Sequence, residues 1–87
     1  MTARRYELVI APTPRRQLAG QLPESVAFAA YEFIIGPLLD NPHRVGKKLP
    51  PLDDRRSARR GTYRVIYQIA EERWQVIVVG VLSRADA

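Results

Sequence analysis

The sequence predicts an α+β fold in which a hairpin of two N-terminal helices packs on one face of a mostly antiparallel four-stranded sheet. Three observations support this prediction: a β-branched run near the N-terminus, a helical period of apolar residues after it, and long alternating or continuous apolar runs in the last third of the chain. The elements follow the order strand, helix, helix, strand, strand, strand. Nothing but the sheet can cover the apolar stripes of two successive helices, so the helices must lie on it.

The N-terminal half supplies the first strand and both helices. Residues 5–10 are rich in β-branched and aromatic side chains, and two prolines then interrupt ladder hydrogen bonding. A short helix is predicted over 14–21, because proline suits the first helical position. A longer amphipathic helix is predicted over 23–39, where apolar residues recur at spacings of three and four, and Asn41-Pro42 ends it.

Residues 43–60 carry many charges and no apolar period, which predicts a loop that ends in a short strand over Ser57–Arg60. The next strand, 62–70, alternates between two faces. Tyr63 and Tyr67 are expected on the face that packs under the helices, and Arg64 on the opposite face.

The last strand follows a turn at Glu71-Glu72-Arg73. Trp74–Leu82 is almost continuously apolar, which is typical of a central strand buried on both faces. Gly80 within this run indicates a bulge or a close backbone approach.

Length and composition limit the classes of protein. The 87 residues make one domain, 1–87, because so short a chain cannot build two cores. With no cysteine and one histidine, we expect neither a zinc site nor any other metal or cofactor. The longest apolar run is half the length that crosses a bilayer, so we expect a cytoplasmic protein without membrane contact.

The positive charge is concentrated in one quarter of the chain. The formal net charge is +5, and residues 43–64 alone hold eight Lys and Arg against two Asp, a surplus of +6. With tyrosines close by, such a segment is a plausible footprint for a phosphate backbone. Ordinary solvated surface charge is the alternative interpretation.

Three motifs resemble the RelE-type toxins of bacterial toxin–antitoxin pairs. They are Asn41-Pro42 with Gly46-Lys47-Lys48-Leu49, the run Ser57-Ala58-Arg59-Arg60-Gly61-Thr62-Tyr63-Arg64-Val65-Ile66-Tyr67, and Ser83-Arg84-Ala85-Asp86. The resemblance covers nearly the whole chain. It implies a ribosome-dependent endoribonuclease that cleaves messenger RNA in the A site and inhibits translation, and a RelB-like acidic antitoxin as its partner.

The resemblance also assigns site residues. Arg64 and Arg84 match the family arginines that grip the scissile phosphate, while the RNA 2′-hydroxyl acts as nucleophile and no metal is needed. Arg59 lies where several relatives place a catalytic lysine and can supply only charge. The other basic residues of the segment 43–64 are expected to contact phosphates or ribosomal RNA, namely Arg44, Lys47, Lys48, Arg55, Arg56 and Arg60.

Several alternatives stay open at this point. Arg64 would instead form a structural ion pair with Glu7 or with an acid in the turn, and Arg84 would be a frayed terminal charge. His43 is the one conventional acid–base candidate, although capping a helix or packing in the loop is the more usual role. The sequence also departs from the family pattern, because no tyrosine follows Arg84. Either residues are missing, another group substitutes, or cleavage is inefficient.

Two other functions fit the same scaffold. The related ParE toxins inhibit DNA gyrase by binding and would not need the terminal tyrosine. A degenerate relative would only bind antitoxin.

Overall fold

The computed structural model of the chain describes residues 5–50 and 52–83, except for the side chains of Leu52 and Asp53. A five-stranded sheet of order β1-β5-β4-β3-β2 is covered on one face by helices. The elements, in chain order, are β1 (Glu7–Ile10), α1 (Pro12–Arg16), which continues in wider π-type turns over Gln17–Gln21, α2 (Glu24–Phe33), which continues likewise over Ile34–Leu38, α3 (Pro42–Val45), β2 (Lys47–Leu49), β3 (Leu52–Arg60), β4 (Tyr63–Ala70), a 3₁₀ turn (Glu71–Arg73) and β5 (Gln75–Ser83).

The predicted α+β class is confirmed, as are the two-helix hairpin and the mostly antiparallel sheet. The strand count is five rather than four. The segment predicted as a loop holds α3, β2 and most of β3, which pairs with β4 along its second half. An edge hairpin packs few apolar side chains and is rich in Lys and Arg, which discourage pairing with other chains, so its sequence lacks the apolar alternation of an inner strand.

The first strand, β1, lies at one edge of the sheet, next to the last strand, β5. β5 pairs in parallel with β1 and antiparallel with β4. Ile66 of β4 pairs with Gly80 of β5, whereas the next residue, Tyr67, pairs with Val78. Val79 is therefore the extra residue of a β-bulge. The bulge that Gly80 indicates is therefore present. It reverses the alternation of β5, so that Val78 and Val81 both face the helices.

The core lies between the helices and this face of the sheet. Tyr63 and Tyr67 belong to it, as predicted, and each satisfies its hydroxyl internally. Tyr63 donates to the carbonyl oxygen of Ala29 (3.1 Å), and Tyr67 to that of Pro42 (2.6 Å). The cluster of buried apolar residues consists of Leu22, Ala30, Phe33, Ile34, Leu38, Leu39, Ala58, Tyr63, Val65, Tyr67, Val76, Val78 and Val81.

Proline and arginine shape the ends of the helices. Leu22 is extended because it precedes Pro23, which separates α1 from α2. Pro37 lies within the π-type turns that end α2, where regular helical bonding fails. Arg5 donates there to the carbonyl oxygens of Ile35 and Gly36 and pairs with Asp40. Within the described part of the chain, no helix is both long enough and apolar enough to span a bilayer.

Gly46 occupies a position without room for a side chain. A Cβ there would overlap the Tyr67 hydroxyl and lie 3.0 Å from the carbonyl oxygen of Ser57. The glycine of the Gly46-Lys47-Lys48 motif is therefore explained by packing. Because glycine has no side chain, the backbone at the start of β2 can lie close to Ser57 of β3 and Tyr67 of β4.

Candidate nucleic-acid interface

Two arginines face each other across neighbouring strands. The register pairs Arg59 of β3 with Arg64 of β4, and Arg64 in turn with Leu82 of β5. Directly opposite residues share a face of the sheet. The two neighbours of Arg64 along β4, Tyr63 and Val65, point into the core, so Arg64 points away from it. The row Arg59–Arg64–Leu82 therefore lies on the face away from the helices, which we call the open face. All three side chains are exposed.

A second row of the open face lies two residues away. Lys47 pairs with Ser57, Ser57 with Ile66, and Ile66 with Gly80. Lys47 is exposed at the edge of the sheet. Arg55 lies outside the residues of β3 that pair with β4, at an irregular part of the strand, and is half-buried. The paired residues thus place three cations, Lys47, Arg59 and Arg64, on the described open face.

The arginine row borders a cleft of about 260 Å³ at the end of the sheet where β3 turns into β4. Gly61 makes this turn with a φ of 59°, a left-handed conformation that favours glycine. The lining residues are Arg59, Gly61, Thr62, Tyr63, Arg64, Leu82 and Ser83. The cleft is cationic on its β3–β4 side and apolar at Leu82.

Neither arginine of the row is neutralised within the described residues. The ion pairs found there join Arg5 to Asp40 and His43 to Glu71. The structural alternative for Arg64, a bridge to Glu7 or to an acid of the turn, is therefore absent from the part of the chain that the structure describes. Because like charges directly opposite each other on a sheet are destabilising, this arrangement suits a site that an anion fills.

Arg84, the third predicted member of the site, lies outside the described residues. Its neighbour Ser83 is the last described residue and lines the cleft. The role of Arg84 stays a prediction.

The remaining predicted RNA contacts lie elsewhere. Arg60 packs over the ring of Phe33 on the helix face, with 4.6 Å from its guanidinium carbon to the ring centroid. Arg56 donates to the carbonyl oxygen of His43 (3.3 Å), and Lys48 is paired with Arg56 in the register, hence on the same face. Arg44 is exposed on α3. These four bases do not join the arginine row.

His43 belongs to a separate cluster at the opposite end of β4. Its Nε2 contacts a carboxylate oxygen of Glu71, which also accepts from the Tyr6 hydroxyl (3.2 Å). The rings of Tyr6 and Trp74 pack with centroids 4.8 Å apart. Burial, and then the negative charge of Glu71, raise the pKa of Tyr6. Glu71, which follows β4, is seven positions from Arg64, about 23 Å at the usual rise, so His43 packs structurally and does not reach the cleft.

The two core tyrosines are not available for chemistry on the open face. Burial raises the pKa of Tyr63, and Arg60 lowers it to a smaller extent. Burial likewise raises the pKa of Tyr67. Within residues 5–50 and 52–83, no group of three or more His, Cys, Asp or Glu side chains is placed to hold a metal ion.

Leu82 is a cleft residue that the sequence does not indicate. The apolar run predicts Leu82 in a strand buried on both faces, but Leu82 is half exposed, so that prediction is wrong at this position. The bulge at Val79 turns Leu82 to the open face. Gly80 was the signal for a bulge, but a glycine does not say which neighbour is the extra residue.

The fold is a helix hairpin on a mixed sheet, and the arginines of its open face have no ion-pair partner among the described residues, which suits a phosphate-bearing partner. Residues 16–87 match the family model of the ParE toxins of type II toxin–antitoxin systems. The toxin RelE of Mycobacterium tuberculosis is 44% identical over 81 residues, 92% of this chain and 82% of that protein. The toxin RelG of the same organism is 43% identical over 93% of each chain. The chain therefore belongs to the RelE/ParE family of toxins of type II toxin–antitoxin systems.

Solved structures agree with this assignment. The RelBE2 toxin–antitoxin complex of Mycobacterium tuberculosis contains a chain that matches with a TM-score of 0.87 at 40% identity, over 93% of this chain and 100% of that one. The isolated Escherichia coli RelE toxin matches with a TM-score of 0.75 at 21% identity, over 90% of this chain and 83% of that one, which supports the fold alone.

Proposed function

We propose that this toxin is an endoribonuclease of 87 residues in one domain, which acts in the cytoplasm, cleaves messenger RNA in the ribosomal A site and so inhibits translation. The observation that carries the proposal is the facing pair Arg59 and Arg64, exposed over a cleft and without an ion-pair partner among the described residues. Membership of the RelE/ParE family supports the proposal independently.

The two guanidinium groups would hold the phosphate that is cut. The 2′-oxygen of the preceding ribose attacks phosphorus in line, the bond from phosphorus to the 5′-oxygen breaks, and the products are a 2′,3′-cyclic phosphate and a 5′-hydroxyl. The proton lost by the 2′-hydroxyl and the one gained by the 5′-oxygen balance. Arg59 and Arg64 offer planar, permanently charged donors that stabilise the developing negative charge, and we assign the same role to Arg84.

Dependence on the ribosome follows from the groups that the cleft lacks. Among the described residues that line it, Arg59 and Arg64 are the ionisable groups that face solvent, and arginine is a poor general base. The hydroxyl of Tyr63 is engaged with Ala29. We therefore propose that the ribosome holds the messenger in an attack geometry and that free RNA is cut far more slowly.

The open face and the helix face would bind different RNAs. We propose that the messenger follows Lys47, Arg59 and Arg64, because these side chains share the open face. Arg55, next along β3, is proposed as a further phosphate contact. The basic residues that lie elsewhere on the protein are proposed to contact ribosomal RNA, namely Arg44, Lys48, Arg56 and Arg60.

An acidic, RelB-like antitoxin is the proposed partner. The solved RelBE2 complex of Mycobacterium tuberculosis and the RelE–RelB complex of Pyrococcus horikoshii, with TM-scores of 0.87 and 0.74, pair toxins of this fold with antitoxins. An acidic partner would neutralise the open face and cover an edge strand of the sheet.

A second candidate function is inhibition of DNA gyrase by binding, without cleavage. The match to the ParE family model favours it. A degenerate protein that only binds antitoxin is the third alternative.

Translation and supercoiling assays with the purified protein separate these functions. Ribosome-dependent messenger cleavage that falls about 10²- to 10³-fold in Arg64→Gln supports the nuclease. Intact messenger together with blocked supercoiling supports gyrase inhibition and overturns the nuclease. If neither process is affected but antitoxin binds, the degenerate alternative holds.

A further inference from the structure

Leu82 is a large apolar side chain exposed inside the cationic cleft. Half of its surface is accessible, and it lies directly opposite Arg64 in the sheet. Single exposed hydrophobic residues are common and carry no function by themselves. Leu82 differs because the other exposed side chains that line the cleft are Arg59, Arg64 and the small Thr62.

A local irregularity of β5 puts Leu82 in this position. If Val79 were an ordinary paired residue of the strand, strict alternation from Val78 would turn Leu82 toward the helices and Val81 away from them. With the bulge, Val81 is fully buried and Leu82 joins the arginine row. Bulges recur beside functional sites, where they redirect a side chain.

We propose that Leu82 is the platform on which a nucleobase next to the scissile phosphate packs. The proposal rests on the nuclease function given above. Leu82 lies on the strand beyond Arg64, so a phosphate midway between Arg59 and Arg64 is about one and a half strand spacings, about 7 Å, from it. The sugar carries the adjacent base across that gap, and an apolar side chain can cover the face of any base, so the contact tolerates different bases. Leu82 is then a positioning residue, because it touches substrate away from the reacting atoms.

The test is a cycle of two changes in ribosomes programmed with synthetic messengers. Leu82→Ala shortens the platform, and an abasic nucleotide on one side or the other of the scissile linkage removes its occupant while keeping the 2′-hydroxyl. We expect Leu82→Ala to lower single-turnover cleavage of intact messenger about 5- to 10-fold, and to have no further effect when the abasic nucleotide is at the contacted position. Leu82→Phe restores cleavage of intact messenger.

Val9→Ala is the matched control. Val9 is also an exposed apolar residue of the open face, opposite Ile77 and remote from the cleft, and its truncation should leave cleavage unchanged. Equal losses by Leu82→Ala on intact and on both abasic messengers, or no loss on intact messenger, would overturn the platform. Loss of cleavage in Arg64→Gln in the same experiment shows that the nuclease proposal stands when the platform fails. If the unaltered protein does not cleave at all, both proposals fall.

Discussion

Arg59→Gln should stabilise the free protein while it inactivates the toxin. Arg59 and Arg64 are direct cross-strand partners, both exposed, and no carboxylate of the described residues pairs with either. Unit charges about 5 Å apart, the usual Cβ separation of directly opposite residues, repel by about 0.8 kcal/mol in a medium as polar as water and by about 3.3 kcal/mol at an effective dielectric constant of 20. Exposure favours the lower value. We therefore expect the free energy of unfolding to rise by about 0.5 kcal/mol at low salt, or about 2 to 4 °C in Tm.

The same substitution removes a donor that would stabilise the transition state. Ribosome-dependent cleavage should fall about 10²- to 10³-fold. Denaturant unfolding at 0.01 M and 1 M salt measures the stability term, because the Debye length shrinks from about 30 Å to about 3 Å and the gain should vanish at high salt.

The adjacent residue provides a control of opposite sign. Arg60→Gln loses the contact with the Phe33 ring on the helix face, so it should lower the free energy of unfolding by about 0.5 to 1 kcal/mol. A destabilising Arg59→Gln, or a stabilisation that persists unchanged at 1 M salt, would refute the view that the two arginines repel each other in the free toxin.

Three further predictions test the packing, the buried hydroxyl and the charge of the open face. Gly46→Ala should lower the free energy of unfolding by about 1 to 3 kcal/mol, seen in urea unfolding, because its Cβ would overlap the Tyr67 hydroxyl. Tyr67→Phe should lower it by about 1 to 2 kcal/mol at pH 7, because the carbonyl oxygen of Pro42 loses a buried donor. Burial raises the pKa of Tyr67 above its ordinary value of 10.0, so the unfolded chain loses this proton first as the pH rises. The free energy of unfolding should therefore fall as pH rises through 10. Unfolding measured at pH 9, 10 and 11 should show a smaller fall in Tyr67→Phe than in the unaltered protein. If the three open-face cations Lys47, Arg59 and Arg64 each neutralise one phosphate, log affinity for single-stranded RNA plotted against log salt should have a slope of about −2, reduced in magnitude by about 0.7 in Arg59→Gln. An unchanged slope would contradict the assignment of Arg59.

The sequence predicts the inner parts of this fold because their apolar patterns are strong. β4 alternates in a way that places Tyr63 and Tyr67 in the core, and the helix over 24–38 repeats apolar residues toward the same core. Both were predicted correctly. The β2–β3 hairpin was missed because edge strands need few apolar side chains, and their lysines and arginines resemble a solvated loop.

The site is less predictable, because it depends on which face each basic side chain takes. Arg59 and Arg60 are neighbours in the sequence, yet one borders the cleft and the other covers Phe33. Only the register of β3 against β4 separates them. Leu82 depends on a single inserted residue in β5, so its exposure follows from the bulge and not from its hydrophobicity.

The central claim is that the open face, and not the basic helix face, holds the messenger. Two pairs of basic residues that are adjacent in the sequence test it directly: Lys47 against Lys48, and Arg59 against Arg60, each changed singly to Gln. At saturating ribosomes, single-turnover cleavage should fall at least about 5-fold in Lys47→Gln and about 10²- to 10³-fold in Arg59→Gln, and by less than about 2-fold in Lys48→Gln and Arg60→Gln. Equal losses within each pair, or larger losses from the helix-face variants, would contradict the claim.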